Sequence, residues 1–128
     1  MTKLLSIAAG GALGALLRYT VSGITYRFMP HDFPWGTLCV NLVGCFLIGL
    51  LWELADNLIV PQSLKSFVFM GGLGAFTTFS TYGLETLNLL RDGEVRQAVL
   101  NIVVSNLVGL GLVLAGFILA RLIFSLAR

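Results

Sequence analysis

Long apolar stretches separated by short polar turns organise the whole chain. A helix needs about 20 mostly apolar residues to cross a bilayer. Four stretches meet this requirement, over residues 4–24, 35–55, 64–90 and 98–124. Prolines punctuate the first two turns, and charged residues mark the third. The pattern predicts one all-α membrane domain over residues 1–128, with four transmembrane helices and no second domain.

The composition supports the membrane class. Of the 128 residues, 57% are hydrophobic and 11% are charged, whereas a soluble domain carries about 25% charged residues. No basic cluster indicates nucleic acid as a partner. Cys39 and Cys45 lie in an apolar stretch, and their spacing indicates neither a disulfide framework nor a metal site.

The third stretch contains a run of residues that a lipid-facing helix does not need. Gly71, Gly72 and Gly74 are followed by several hydroxyl residues and by Glu85. Because glycine costs about 1 kcal/mol relative to alanine inside a helix, we expect these glycines to break the helix at its centre. Irregular backbone at membrane depth is tolerated where protein buries it or where it lines a wet cavity. It also exposes carbonyl and amide groups that bind ions. The run therefore predicts an ion site near the middle of the third helix.

Polar side chains inside the second and third spans are the first candidate site residues. The amide of Asn41 can donate to an anion or bridge two helices, and both interpretations stay open. Phe79, Tyr82 and Glu85 are spaced three apart and share one helical face. The positive ring edges of the two aromatic residues can face a small anion. The hydroxyl residues beside that face are Ser80 and Thr81.

The first, third and fourth spans also carry polar or charged side chains whose roles stay open. Asn101 and Ser105 are four residues apart and line one face of the fourth span, with Asn106 adjacent. Glu85 fits either a vestibule group or a proton carrier. Arg18 fits either a side chain that reaches the interface or one that draws anions towards a pore. The remaining charged groups near helix ends are expected to be solvated, namely His31, Asp32, Glu53 and Asp56.

Basic residues are almost evenly divided between the two sides of a four-span topology. One side carries Lys3, Lys65, Arg121 and Arg128, and the other carries Arg27, Arg91 and Arg96. Orientation in the membrane depends on an excess of Lys and Arg on the cytoplasmic side. Four against three is almost no bias, so we expect the chain to insert in both orientations. Two such copies can form an antiparallel dimer.

Small residues four positions apart recur on the first and fourth spans, where they let helix backbones approach closely. The pairs are Gly10 with Gly14, Gly11 with Ala15, Gly111 with Ala115, and Gly116 with Ala120. Packing within the chain and packing between two copies explain these pairs equally well.

Three motifs together carry a family resemblance over essentially the whole chain. They are residues 10–18 (GGALGALLR), residues 36–44 (GTLCVNLVG) and residues 71–85 (GGLGAFTTFSTYGLE). With these motifs the chain resembles the Fluc/CrcB family of small fluoride channels. The resemblance implies an antiparallel, dual-topology homodimer that exports fluoride passively across the cytoplasmic (inner) membrane and is not an enzyme.

The resemblance also implies residue roles. The fluoride pore would involve Asn41, Phe79, Ser80, Thr81, Tyr82, Glu85, Asn106 and Arg18. A structural Na⁺ at the dimer centre would be held by the backbone carbonyls of Gly74 and Thr77 from each copy, which are hard oxygen ligands suited to a hard cation.

The chain departs from the family pattern at two positions, and three other interpretations remain. Tyr82 stands where the family has a second phenylalanine, and Leu110 stands where a serine is expected. One alternative is that the chain is one subunit of a heterodimeric fluoride channel. Another is a small proton-coupled multidrug exporter, although the first span has Arg18 and no acid. A membrane assembly subunit that transports nothing is the last alternative.

Overall fold

The computed structural model describes residues 1–126, and it is built from helices, with no strand within this range. Helix α1 spans Thr2–Phe28 and α2 spans Trp35–Asn57. Residues 62–76 form α3, and α4 follows over Phe79–Arg91. The last helix, α5, spans Val95–Leu126. Arg128, which entered the charge comparison, lies outside the described residues.

Three of these helices are long and apolar enough to cross a membrane, namely α1, α2 and α5. They contain the first, second and fourth stretches that the sequence predicts as spans, so these three predictions are confirmed as helices. Each helix extends a few residues beyond the apolar stretch. The third stretch is divided between α3 and α4.

The glycines of the third stretch are helical, so the expectation that they break the helix is wrong. Gly71 and Gly72 lie in a π-helical segment, Ser66–Leu73, and Gly74 begins the α-helical turn Gly74–Phe76. The helix stops instead at Thr77, which is extended with φ −83° and ψ 158°. The glycines serve close packing: a Cβ at Gly71 would lie 2.8 Å from the amide nitrogen of Gly11 on α1.

Helix α1 packs on α3 through small residues. A Cβ built at Gly10 would overlap the carbonyl oxygen of Phe67, and one at Gly14 would overlap the carbonyl oxygen of Gly72. Gly11 has open space on its outer side. The Gly10 and Gly14 pair therefore serves packing within the chain, because only glycine lets the two backbones come this close.

Helices α2 and α5 pack along each other in the same way. Gly49 faces the backbone of Val113, and Gly116 faces the carbonyl oxygen of Phe46. Glu53 on α2 forms an ion pair with Arg121 on α5, with 3.0 Å between Oε1 and Nε. The Glu53 side chain is only 12% exposed, so the expectation that it is solvated is wrong.

Candidate functional site

The chain leaves helical geometry at Thr77 and Thr78, between α3 and α4. Thr78 has φ −151° and ψ 116° and caps the N-terminus of α4 by accepting from the N–H of Thr81 at 3.3 Å. Threonine is a favourable N-cap because its side-chain oxygen satisfies an N–H that has no helical partner. The interruption thus ends with a regular helix start.

Asn41 on α2 bonds to both backbone groups of Thr78. Its Nδ2 donates to the Thr78 carbonyl at 3.0 Å, and its Oδ1 accepts from the Thr78 N–H at 2.8 Å. A buried backbone group without a partner costs free energy, and Asn41 removes that cost at the interruption. Of the two sequence-based interpretations of Asn41, the bridge between helices is the one observed. One N–H of the amide remains beyond these two bonds.

The Asn41 contact and the Thr78 cap each leave one backbone carbonyl of the interrupted segment without its helical donor. In a continuous α-helix the N–H of residue i+4 donates to the carbonyl of residue i. The Thr78 N–H would reach the Gly74 carbonyl, but it donates to Asn41 instead. The Thr81 N–H would reach the Thr77 carbonyl, but it donates to the Thr78 hydroxyl. Both carbonyls therefore lose their usual helical partner and keep lone pairs for another ligand.

An open groove of about 370 Å³ lies beside the interruption. Helix α2 contributes Asn41 and Cys45 to its wall, and α5 contributes Ser105 and Asn106. The other lining residues are Gly44, Ile48, Phe69, Leu73, Gly74, Thr77, Thr78, Phe79 and Tyr82. The groove therefore combines an apolar wall with a few polar groups, which is typical of a site for a small ligand.

Two aromatic rings stand at the start of α4. The ring centroids of Phe79 and Tyr82 are 5.4 Å apart, with a 46° angle between the ring planes. Phe79 is 81% exposed, whereas Tyr82 is half-buried and accepts a hydrogen bond from Asn106 Nδ2 at 3.3 Å. The structure therefore brings together three of the predicted pore residues in one wall of the groove.

Ser80 and Thr81 are exposed and turn back towards the N-cap. Their hydroxyl oxygens lie 3.4 Å and 2.9 Å from the Thr78 hydroxyl oxygen. They are not among the residues that line the groove. The hydroxyl cluster therefore stands at the first turn of α4, beside the groove rather than in it.

Glu85 and Arg18 also lie outside the groove. Glu85 Oε1 accepts from the Thr37 hydroxyl of α2 at 2.8 Å. Its second oxygen, Oε2, is buried and has no partner among the described residues. Arg18 is half-buried on α1. The structure thus places Glu85 at a second contact between α4 and α2, about 1.7 turns beyond Phe79.

A buried polar chain holds α4 against α5. The Thr86 hydroxyl donates to the Tyr82 carbonyl at 2.8 Å and accepts from Asn101 Nδ2 at 2.9 Å. Asn101 is 1% exposed, and its Oδ1 accepts from Ser105. The sequence places Asn101 and Ser105 on one face but misses Thr86 and Thr37. Thr86 lies one turn after Tyr82 on the same face, which is the pattern that could have identified it.

Together the fold and the site define a small helical membrane protein with an open groove, lined by a few polar groups, at an interrupted helix. Comparison with known proteins gives the family. The sequence model of the family described as CrcB-like protein, Camphor Resistance (CrcB), matches residues 5–117. The chain therefore belongs to the CrcB family.

Relatives in this family carry a functional name. The chain is 54% identical over 116 residues to the fluoride-specific ion channel FluC of Salinibacter ruber, with 91% of this chain and 87% of that protein covered. It is 49% identical over 118 residues to that of Magnetococcus marinus, with 91% and 96% covered. It is 41% identical over 128 residues to that of Parabacteroides distasonis, with 100% of both chains covered.

Proposed function

We propose that this chain is a fluoride-specific channel that lets fluoride leave the cytoplasm passively across the cytoplasmic membrane. The observation that carries the proposal is the polar groove at the Thr77–Thr78 interruption, in a chain similar over most of its length to proteins named fluoride-specific ion channels. The role is transport rather than catalysis. Hydrogen fluoride crosses membranes and dissociates in a neutral cytoplasm, so a passive exit for the anion lowers its accumulation and its toxicity.

We propose that α3 and α4 together form a third membrane crossing, which makes four in total. Each half is too short to span about 30 Å of hydrocarbon alone. Asn41 supports this arrangement because it satisfies the backbone of Thr78 where the two halves meet. Interrupted helices at membrane depth persist when neighbouring side chains satisfy the freed backbone groups.

The groove also supports an antiparallel homodimer. Phe79 is 81% exposed at the groove, and Gly74 is exposed beside it. Polar backbone is costly against lipid, so a second copy is the occupant that would cover this face. The nearly even division of basic residues between the two sides fits insertion in both orientations.

A structural Na⁺ fits the freed carbonyls of this dimer. Gly74 and Thr77 each present a backbone carbonyl whose usual helical donor is diverted to a side chain. Two such carbonyls from each copy would supply four hard oxygen ligands. The bound ion would supply a fixed positive charge that favours an anion in a low dielectric.

Fluoride would exchange its water shell for groups along the pore. Within the groove, the groups that can face it are the spare N–H of Asn41 and the ring edges of Phe79 and Tyr82. The hydroxyls of Ser80 and Thr81 can meet it beside the groove, at the first turn of α4. Asn106 stands behind Tyr82. We assign Glu85 and Arg18 to the approaches of the pore, because they lie outside the groove. Larger halides would be excluded by pore width.

The test is fluoride efflux from liposomes that contain only the purified chain, measured with a fluoride electrode and repeated with chloride. Fast fluoride efflux without chloride efflux is expected. An absence of fluoride efflux would overturn the homodimeric channel. Co-reconstitution with a related chain of the same organism would then test a heterodimer, and an absence of efflux there as well would exclude the fluoride channel.

A further inference from the structure

The donors of the groove are mostly committed to other protein groups. The Thr77 hydroxyl donates to the Leu73 carbonyl at 3.0 Å. The Ser105 hydroxyl donates to Asn101 Oδ1 at 3.4 Å. The Thr78 hydroxyl lies 2.9 Å from the Thr81 hydroxyl. A donor that faces an anion must have a proton that no protein acceptor uses, so the Thr77 and Ser105 hydroxyls contribute little to the groove, and the Thr78 hydroxyl is engaged in the cap of α4.

Asn106 lines the groove, but both of its N–H groups are used. Its Nδ2 donates to the Ile102 carbonyl at 2.7 Å and to the Tyr82 hydroxyl at 3.3 Å. The orientation of the amide follows from the Ile102 carbonyl, which can only accept. Asn106 therefore presents its carbonyl oxygen, which does not attract an anion. One turn later on α5, Leu110 brings no polar group to this wall.

The Tyr82 hydroxyl is in the opposite situation. It accepts from Asn106, whose amide nitrogen can only donate, so its own proton is left unused by this contact. The ring lines the groove and is held beside Phe79. One turn further along α4, the Thr86 hydroxyl donates to the Tyr82 carbonyl and accepts from the amide of Asn101, which holds the backbone of Tyr82 in place. The phenol is therefore oriented, and no acceptor within residues 1–126 takes its O–H.

We infer that the Tyr82 hydroxyl donates a hydrogen bond to fluoride in the groove and that Asn106 acts by orienting this hydroxyl. This role rests on the proposed fluoride channel. Fluoride is the halide that accepts hydrogen bonds most strongly, and a bond to an ionised acceptor is stronger than one between neutral groups. Tyr82, which lines the same groove as Asn41, is thus a specificity-determining residue rather than only an aromatic wall.

The experiment compares fluoride efflux from liposomes that hold the wild-type chain, Tyr82→Phe or Tyr19→Phe. Tyr82→Phe removes only the hydroxyl, and we expect efflux to slow by about tenfold, the loss of one hydrogen bond to a charged group. Tyr19→Phe is the matched control, because Tyr19 is 80% exposed on α1 and outside the groove. Its efflux should equal that of the wild type.

A second variant separates the two residues of the pair. Asn106→Leu should slow efflux in the wild-type background and change it less than about twofold in the Tyr82→Phe background, because contacting residues that act together are not additive. If the wild type conducts and Tyr82→Phe matches it, the donor role is wrong while the channel stands. A further tenfold loss in the double variant would also overturn it. A silent wild type would overturn the channel and the donor role together.

Discussion

The side-chain amide of Asn41 and the backbone of Thr78 form a two-bond contact between residues 37 positions apart in the chain. This contact satisfies the N–H and the carbonyl of one extended residue at once. It also diverts the Thr78 N–H from the Gly74 carbonyl. A single side chain on α2 therefore maintains both the interruption between α3 and α4 and the exposed carbonyl beside it.

Asn41→Asp should weaken the fold and abolish fluoride efflux. The carboxylate keeps the acceptor for the Thr78 N–H but loses the donor for the Thr78 carbonyl, which should cost about 1–3 kcal/mol in stability. It also places a negative charge in the groove, which repels an anion. Thermal unfolding in detergent and liposome efflux measure the two effects. Asn88→Asp, on the exposed surface of α4, should leave both near the wild type. Wild-type efflux in Asn41→Asp would contradict the pore assignment.

Phe79→Ile should abolish or strongly slow fluoride efflux without unfolding the protein. The side chain is 81% exposed, so little core packing is lost, whereas the ring edge that faces the anion disappears. Phe28→Ile at the end of α1 is a matched control, because Phe28 is also 81% exposed. Only the Phe79 variant should lose efflux, and equal losses in both variants would show that the ring has no specific role.

Replacing Na⁺ by a large organic cation should lower fluoride efflux or dissociate the dimer. Thr78→Val should reduce this dependence on Na⁺. It removes the acceptor of the Thr81 N–H, which can then return to the Thr77 carbonyl. Loss of the N-cap should also cost about 0.5–2 kcal/mol. Efflux and size-exclusion chromatography over a series of Na⁺ concentrations test both statements. Thr20→Val on exposed α1 is the control, and indifference of the wild type to Na⁺ would rule out the proposed site.

Gly10→Ala should destabilise the protein, whereas Gly11→Ala should not. A methyl group at Gly10 meets the carbonyl oxygen of Phe67, and one at Gly11 meets open space within the chain. Overpacking of this kind costs about 1–3 kcal/mol. Thermal unfolding in detergent compares the two adjacent alanine variants. A Gly11→Ala loss confined to the dimer, seen by cross-linking, would instead place Gly11 at the contact between copies.

Much of the fold could be predicted from the sequence, because helix length and apolarity are set by the bilayer. The predicted stretches over residues 4–24, 35–55 and 98–124 all lie within observed helices. The position of the interruption could not be predicted from local propensity. Gly71 is helical because α1 packs against it. Thr77 is extended because the neighbouring Thr78 bonds to Asn41 and not to the backbone of the preceding turn. Both depend on residues distant in the sequence.

The candidate site was predicted in part for the same reason. Spacing along one helix is enough to group Phe79 with Tyr82, since residues three apart share a face. The partner of Glu85 is Thr37, which is 48 positions away, so no local pattern could indicate it. Ser80 and Thr81 were predicted as pore groups, but their orientation towards the Thr78 cap depends on where α4 begins.

The contact of Asn41 with Thr78 has a consequence for the cell. The interruption is braced from a neighbouring helix, so straightening it would break both bonds at the same time and leave two backbone groups without partners. We expect a passage built on this element to stay open, because straightening α3 and α4 would cost both bonds. In an energised membrane, a pore that stays open would dissipate the membrane potential that drives ATP synthesis, unless it excludes every abundant ion. A cell that carries such an open pore therefore depends on its strict selectivity among ions.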